Sequence, residues 1–205
     1  MKVRTLVVGP IQENCYLIED AGELLVVDPG DELEHILAAV GQHTVCGIVC
    51  THYHWDHVGA VAGLQAATGA GLALGALDAP RLDGVSSMEG RDIARGHAPA
   101  HVTRLLHEGD EVQVGTASFE VIDTPGHTPG GICLHCAAQA LLIAGDTLFA
   151  GGSFGRTDFA DGDFSALVAS IYGKLSQLPD ATRVLCGHGS PTTIGTERRL
   201  NPFLR

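Results

Sequence analysis

Apolar and polar positions fall into short, regular groups through the first third of the chain. Residues 4–8, 15–19 and 23–27 carry the apolar and β-branched runs expected of strands. Ala21-Gly22 between the last two predicts a tight hairpin turn, and Asp28-Pro29-Gly30 ends the hairpin. The period then lengthens. Leu33, Ile36, Leu37 and Val40 share one face of a helix expected over residues 32–40. Residues 46–50 predict a buried strand, residues 58–67 a helix ending near Gly69, and residues 72–74 a short strand. Residues 76–107 lose the pattern: Pro80, Gly84, Gly90, Gly96 and Pro99 punctuate them, so loops and short helices are expected over one end of the sheet. Strands resume over residues 111–114, 118–122, 132–135 and 141–144. Residues 164–178 form the clearest helical pattern, with Phe164, Leu167, Val168, Ile171, Leu175 and Leu178 on one stripe and Asp163 as N-cap. A last strand over residues 183–186 leads into Gly187-His188-Gly189. Strands and helices recur in both halves with no low-complexity linker. The expectation is therefore one domain over residues 1–205, an α/β chain with two sheets and helices packed outside.

Composition supports a packed core. Hydrophobic residues make up 45% of the 205 positions and charged residues 18%, which sets the chain apart from disordered sequences. The net charge of −12 argues against nucleic acid or an anionic membrane as the main partner. It leaves a small-molecule substrate open, because bound metal ions reverse the local field. No run approaches the length of a membrane span, and residues 1–8 are too short an apolar stretch for a secretory signal. A cytoplasmic location is expected. Most of the six cysteines sit in apolar strand-like runs, the pattern of small buried hydrophobes. Cys133-Leu134-His135-Cys136 has the spacing of half a structural zinc site. A structural site would need a matching second pair, for which Cys46 and Cys50 are a poor match, and on a strand the two thiols point to opposite faces.

The candidate chemistry is concentrated in Thr51-His52-Tyr53-His54-Trp55-Asp56-His57, where four of seven residues can bind a metal ion. A polar cluster of this density needs solvent or partners, and a metal supplies partners. The cluster lies between a predicted strand and a predicted helix. Three later segments repeat the design. Val121-Ile122-Asp123-Thr124-Pro125-Gly126-His127, Leu142-Ile143-Ala144-Gly145-Asp146 and Val184-Leu185-Cys186-Gly187-His188 are each a strand that delivers one donor directly after a glycine. Together they offer five histidines and two aspartates, enough for two metals that share a carboxylate. His97, His101 and His107 read as surface residues. Structural metal sites close their shell with cysteine and histidine, whereas this carboxylate-containing set points to an open, reactive one.

This order of motifs resembles the metallo-β-lactamase superfamily of αββα metallohydrolases over residues 28–188. The resemblance implies a four-layer αββα sandwich. It implies that His52, His54 and His127 hold one metal, that Asp56, His57 and His188 hold the other, and that Asp146 bridges them. Asp28 takes the place of a carboxylate that fixes a metal-bound histidine from behind. Trp55 fills a variable place in the motif and is expected on the pocket wall. Within the superfamily the chain is similar to the glyoxalase II branch in its short bacterial form. Thr124-Pro125-Gly126-His127-Thr128-Pro129-Gly130, Gly145-Asp146-Thr147-Leu148-Phe149, Gly155-Arg156-Thr157-Asp158-Phe159 and Asn201-Pro202-Phe203-Leu204 carry that likeness. It implies two divalent metal ions, with zinc the first choice and iron or manganese also suited. Only residues 189–205 follow His188. A counterpart of the helical domain whose basic residues grip glutathione in longer glyoxalase II enzymes is therefore not expected, and the resemblance does not imply glutathione specificity.

The implied reaction is hydrolysis of an acyl thioester by a hydroxide held between two metals, with Asp56 and Asp146 as catalytic carboxylates. A thiol of pKa about 8.5 leaves as thiolate without a general acid, which favours a thioester over an amide. It does not separate a thioester from an activated ester or lactone. Arg156 has two readings: a cation for a substrate carboxylate, or an ion-pair partner of Asp158 that pins its loop. The Gly-Arg-Thr-Asp-Phe segment also resembles the persulfide dioxygenase branch. There a single iron would sit on His52, His127 and Asp146.

Overall fold

A computed structural model describes residues 1–82, 87–88, 91–92 and 99–204. The expectations for Gly84, Gly90, Gly96 and His97 lie outside the described residues. The chain opens with an antiparallel meander of β1 (Lys2–Val8), β2 (Glu13–Asp20) and β3 (Glu23–Val27). Ala21 and Gly22 turn β2 into β3 with φ of 48° and 89°. Two left-handed centres match the twist of a two-residue hairpin. α1 (Leu33–Val40) leads to β4 (Thr44–Cys50), which runs parallel to β3. α2 (Trp55–Val58) and α3 (Val61–Thr68) lead to β5 (Leu72–Gly75), parallel to β4. After α4 (Ala79–Leu82), β6 (Ser87–Met88) and β7 (Arg91–Asp92) pair with each other, and β8 (Val102–Leu106) joins β5 in parallel. The first sheet has the order β1-β2-β3-β4-β5-β8.

The second sheet starts with the antiparallel strands β9 (Glu111–Val114), β10 (Ala117–Asp123), β11 (Ile132–Cys136) and β12 (Leu141–Gly145). α5 (Phe164–Gly173) crosses to β13 (Arg183–Cys186), parallel to β12. β14 (Thr192–Thr193) and α6 (Ile194–Leu200) follow, and the sheet order is β14-β13-β12-β11-β10-β9.

Period-two alternation sorts the strands' side chains into separate cores. Leu17, Val26 and Leu72 on one face of the first sheet pack under Ile36 of α1 and Leu64 of α3. Their neighbours Ile18, Leu25 and Ala73 face the other way, onto Phe119, Leu134 and Ile143 of the second sheet. The far face of that sheet, with Cys133, Leu142 and Val184, is covered by Leu167 and Ile171 of α5 and Ile194 of α6. The result is an αββα sandwich. Each fully buried aliphatic side chain contributes roughly 1.5–3 kcal/mol of transfer free energy.

Some elements depart from the sequence pattern. The helix expected over residues 58–67 is two helices, because Ala60 N–H is diverted to Pro29 O at 2.9 Å. α5 ends at Gly173, and a 3₁₀ turn continues to Gln177. Phe164 is 49% exposed instead of lying in the helix's buried stripe. Asp163 does cap α5, accepting from Ala166 N. β8 falls within the stretch read as loops and short helices. Cys46 is exposed and the other five cysteines are buried, all with free thiols. Cys133 and Cys136 face different cores, as their spacing on a strand requires.

Candidate metal centre

The ends of β4, β10, β12 and β13 meet at one edge of the sandwich, and the seven predicted donors converge there. His52, His54 and His127 offer ligand atoms within 4.8 Å of one another, and so do Asp56, His57 and His188. Asp146 lies between the two groups. Its carboxylate is 3.4 Å from His57 Nε2, 3.5 Å from His127 Nε2 and 3.8 Å from His188 Nε2. Asp56 is 3.2 Å from His188 Nε2.

Backbone and side-chain acceptors fix the rings from behind. His127 Nδ1–H donates to Arg156 O at 2.6 Å, and His188 Nδ1–H to Ile11 O at 3.2 Å. Asp28 is fully buried and steadies two rings. It accepts from His57 Nδ1 at 3.1 Å, and from the Thr51 hydroxyl at 2.8 Å, which itself lies 3.1 Å from His52 Nδ1. These contacts turn Nε2 of all four rings inward. His54 turns the other nitrogen inward, its Nδ1 facing His127 Nε2 at 2.9 Å.

The inward atoms test whether a metal fits. His52 Nε2, His57 Nε2 and Asp146 Oδ1 are buried without a hydrogen-bond partner. Such atoms are rare in folded proteins and call for an explanation. Imidazole nitrogens and carboxylate oxygens that converge without a donor suit a divalent cation, and this mixture accommodates zinc, iron or manganese. Electrostatics agree. Burial, reinforced by its neighbouring imidazoles, holds His52 well below the usual imidazole range, and burial beside His127 holds His54 near 4. These rings stay neutral at physiological pH. Burial opposes the charge on Asp146, but His57 and the surrounding imidazoles outweigh it and hold the carboxyl near 2. Burial also opposes charge on His57, yet Asp146 and Asp28 raise that ring well above its ordinary value, so the spot attracts positive charge.

Two glycines permit the approach. Gly145 has a φ of +48°, and a Cβ there would lie 2.3 Å from Thr51 Oγ1. A Cβ on Gly187 would lie 2.1 Å from Asp146 Oδ1.

Several supporting residues were not singled out by the sequence pattern. Asn14 donates to Cys186 O at 3.0 Å and Gly189 O at 2.9 Å, and Tyr16 donates to Cys186 O, so β2 holds the segment that carries His188. Glu13 is buried 3.8 Å from His57 Nδ1, with neither oxygen hydrogen-bonded. Asp78 is fully buried and joins two donor loops: it accepts from Thr128 Oγ1 at 2.7 Å, from Gly130 N at 2.6 Å and from Tyr53 N. Burial pushes its carboxyl up to about 6. Glu197 of α6 accepts from Gly151 N, Gly152 N and the Thr192 hydroxyl and so holds the loop after Asp146. The visible signals were polar residues opening an apolar strand at Glu13-Asn14 and a lone acid before Ala79-Pro80.

A cavity of about 680 Å³ opens from the centre, with Trp55, Phe149, Phe154 and Phe159 in its wall. Arg156 is also in the wall. Its Nε and Nη2 donate to the two Asp158 oxygens, each at 2.8 Å, and its guanidinium lies 4.5 Å over the Phe159 ring. His101 and His107 are exposed and away from the cluster. No helix among the described residues is long and apolar enough to cross a membrane.

The chain is similar to known proteins in sequence and in fold. The sequence profile of the Metallo-beta-lactamase superfamily matches residues 8–188. Hydroxyacylglutathione hydrolase GloC of Haemophilus influenzae is 34% identical over 213 aligned positions, covering 100% of this chain and 98% of the relative. The crystal structure of TTHA1623 in a di-iron-bound form superposes with a TM-score of 0.83 at 40% identity, over 98% of this chain and 99% of the other. BLEG-1, a B3 metallo-beta-lactamase, superposes with a TM-score of 0.87 at 34% identity, over 99% of each chain. Fold, donor set and relatives agree: this chain belongs to the metallo-beta-lactamase superfamily.

Proposed function

We propose that the protein is a metal-dependent hydrolase of acyl thioesters, built as one catalytic domain over residues 1–205. The observation that carries the reading is the pair of three-donor groups on either side of Asp146, with three buried donor atoms otherwise unpartnered. His52, His54 and His127 are assigned to one divalent ion and Asp56, His57 and His188 to a second, with Asp146 shared. Zinc is the first choice, and iron or manganese suits the same donors. Such ions would supply a water of lowered pKa and a Lewis acid for a substrate carbonyl. Asp56 and Asp146 line the cavity beside the donors and are held in the ionised form, ready to accept a hydrogen bond from attacking water. Asp28 keeps His57 and His52 in the orientation that this needs. The aromatic wall shields the reacting carbonyl from bulk water. The leaving thiolate requires no proton, so no general acid is invoked.

The likeness to GloC supports the thioester class. Six thiols without a disulfide suit a reducing compartment and a cytoplasmic location, which fractionation checks. The deciding assay is steady-state hydrolysis of S-lactoylglutathione and other acyl thioesters by metal-loaded protein. Turnover with about two metals per chain is expected; a loaded protein inert towards every thioester sinks the reading. One bound iron with oxygen uptake on glutathione persulfide would give the dioxygenase chemistry instead. The likeness to BLEG-1 favours a second reading, opening of a β-lactam ring, tested with a chromogenic cephalosporin.

A further inference from the structure

We infer that the cavity selects acyl thioesters that are apolar and uncharged, and that Asp158 sets this preference by occupying Arg156. The inference takes its reaction from the thioesterase reading and its selectivity from the cavity wall alone. Ile11, Trp55, Phe149, Phe154 and Phe159 give that wall branched and aromatic surface. Among the described residues that line it, Arg156 is the one arginine or lysine. Its guanidinium fork is filled by both oxygens of Asp158 and its face is stacked on Phe159. A substrate carboxylate must displace Asp158 to reach it; a neutral group need not.

Asp56 and Asp146 belong to the metal-holding set, and Asp158 cancels the Arg156 charge, so the wall beyond the metal donors offers an anionic carrier no net attraction. Burial of an apolar acyl chain, by contrast, raises affinity about three- to fourfold per methylene. The Arg156–Asp158 pair is about two-thirds exposed, so its hold on the guanidinium amounts to at most about fivefold in binding.

The test uses the metal-loaded protein and N-acetylcysteamine thioesters of increasing acyl length, with hexanoylglutathione as the anionic counterpart of the hexanoyl compound. Expected are a rise in kcat/KM of about three- to fourfold per methylene until the cavity is full, and a preference for the neutral hexanoyl carrier. Asp158→Asn should raise the glutathione-to-neutral ratio of kcat/KM by roughly two- to fivefold. Hydrolysis that ignores acyl length, or that favours the glutathione carrier, overturns the inference. If no thioester turns over, the thioesterase reading fails and selectivity is read by binding. Trp55 is the only tryptophan and lines the cavity, so its fluorescence reports occupancy by the inert thioethers S-hexyl-N-acetylcysteamine and S-hexylglutathione. Saturable binding that is tighter for the neutral thioether upholds the selectivity; no saturable change, or tighter binding of S-hexylglutathione, overturns it.

Discussion

Asp78→Asn replaces a buried carboxyl that ties the loop of His52 and His54 to the loop of His127. Burial pushes this carboxyl from its ordinary 3.8 up to about 6, against the pull of hydrogen bonds from Thr128 and Gly130. The folded protein therefore keeps a proton that the unfolded chain releases near pH 4. Stability from this group is fully present below about pH 4 and is lost as pH rises through about 6. A displacement of about two pH units, at about 1.4 kcal/mol each, gives roughly 3 kcal/mol. Asparagine retains a carbonyl for Gly130 N and cannot ionise, so this pH dependence disappears. Whatever fixed loss the altered hydrogen bonds bring is the same at every pH. Urea unfolding of metal-free wild type and variant, at about pH 4 and about pH 7, measures the effect. The variant should gain roughly 3 kcal/mol on wild type between the two conditions. A difference that stays constant with pH would refute the upward shift assigned to the Asp78 carboxyl.

Three further outcomes follow from the site. Glu197→Ala strips Gly151 N, Gly152 N and the Thr192 hydroxyl of their acceptor and should destabilise the fold by about 3 kcal/mol in urea unfolding. Gly187→Ala drives a methyl to 2.1 Å from Asp146 Oδ1 and 2.8 Å from His57 Cε1. That variant should retain the wild-type far-UV circular dichroism while losing at least about tenfold in metal affinity, read by competition with a chromophoric chelator. Chelation of the wild type should lower Tm by roughly 10 °C, because three buried donor atoms lose their partners; an unchanged melting curve would count against them as ligands.

Much of the sandwich was legible because its strands alternate cleanly. Residues 111–114 and 183–186 are strands with the bounds the pattern gives, and the donors stand at strand ends, where glycine marks the turn. β8 was illegible because Val102-Thr103-Arg104-Leu105-Leu106 has no alternation: Leu105 is 51% exposed beside buried Leu106. The break between α2 and α3 depends on a hydrogen bond to Pro29, which no local pattern encodes. The supports of the centre stayed hidden for the same reason. Asn14 and Tyr16 grip residues more than 160 positions away, and Asp78 meets Gly130 across 52. Polar side chains that recognise backbone of another segment leave no periodic trace. Arg156 shows the limit within a motif: its residue type allowed either a substrate contact or an ion pair, and the fork on Asp158 is what the folded chain contains.

Seven side chains from four strand ends are assigned to a pair of cations. Element-resolved anomalous diffraction from crystals of the protein purified without chelator tests this assignment most directly. One peak is expected among His52, His54 and His127 and a second among Asp56, His57 and His188, with Asp146 within coordination distance of both. Crystals from metal-supplemented protein with no anomalous density at this edge of the sandwich would contradict the assignment.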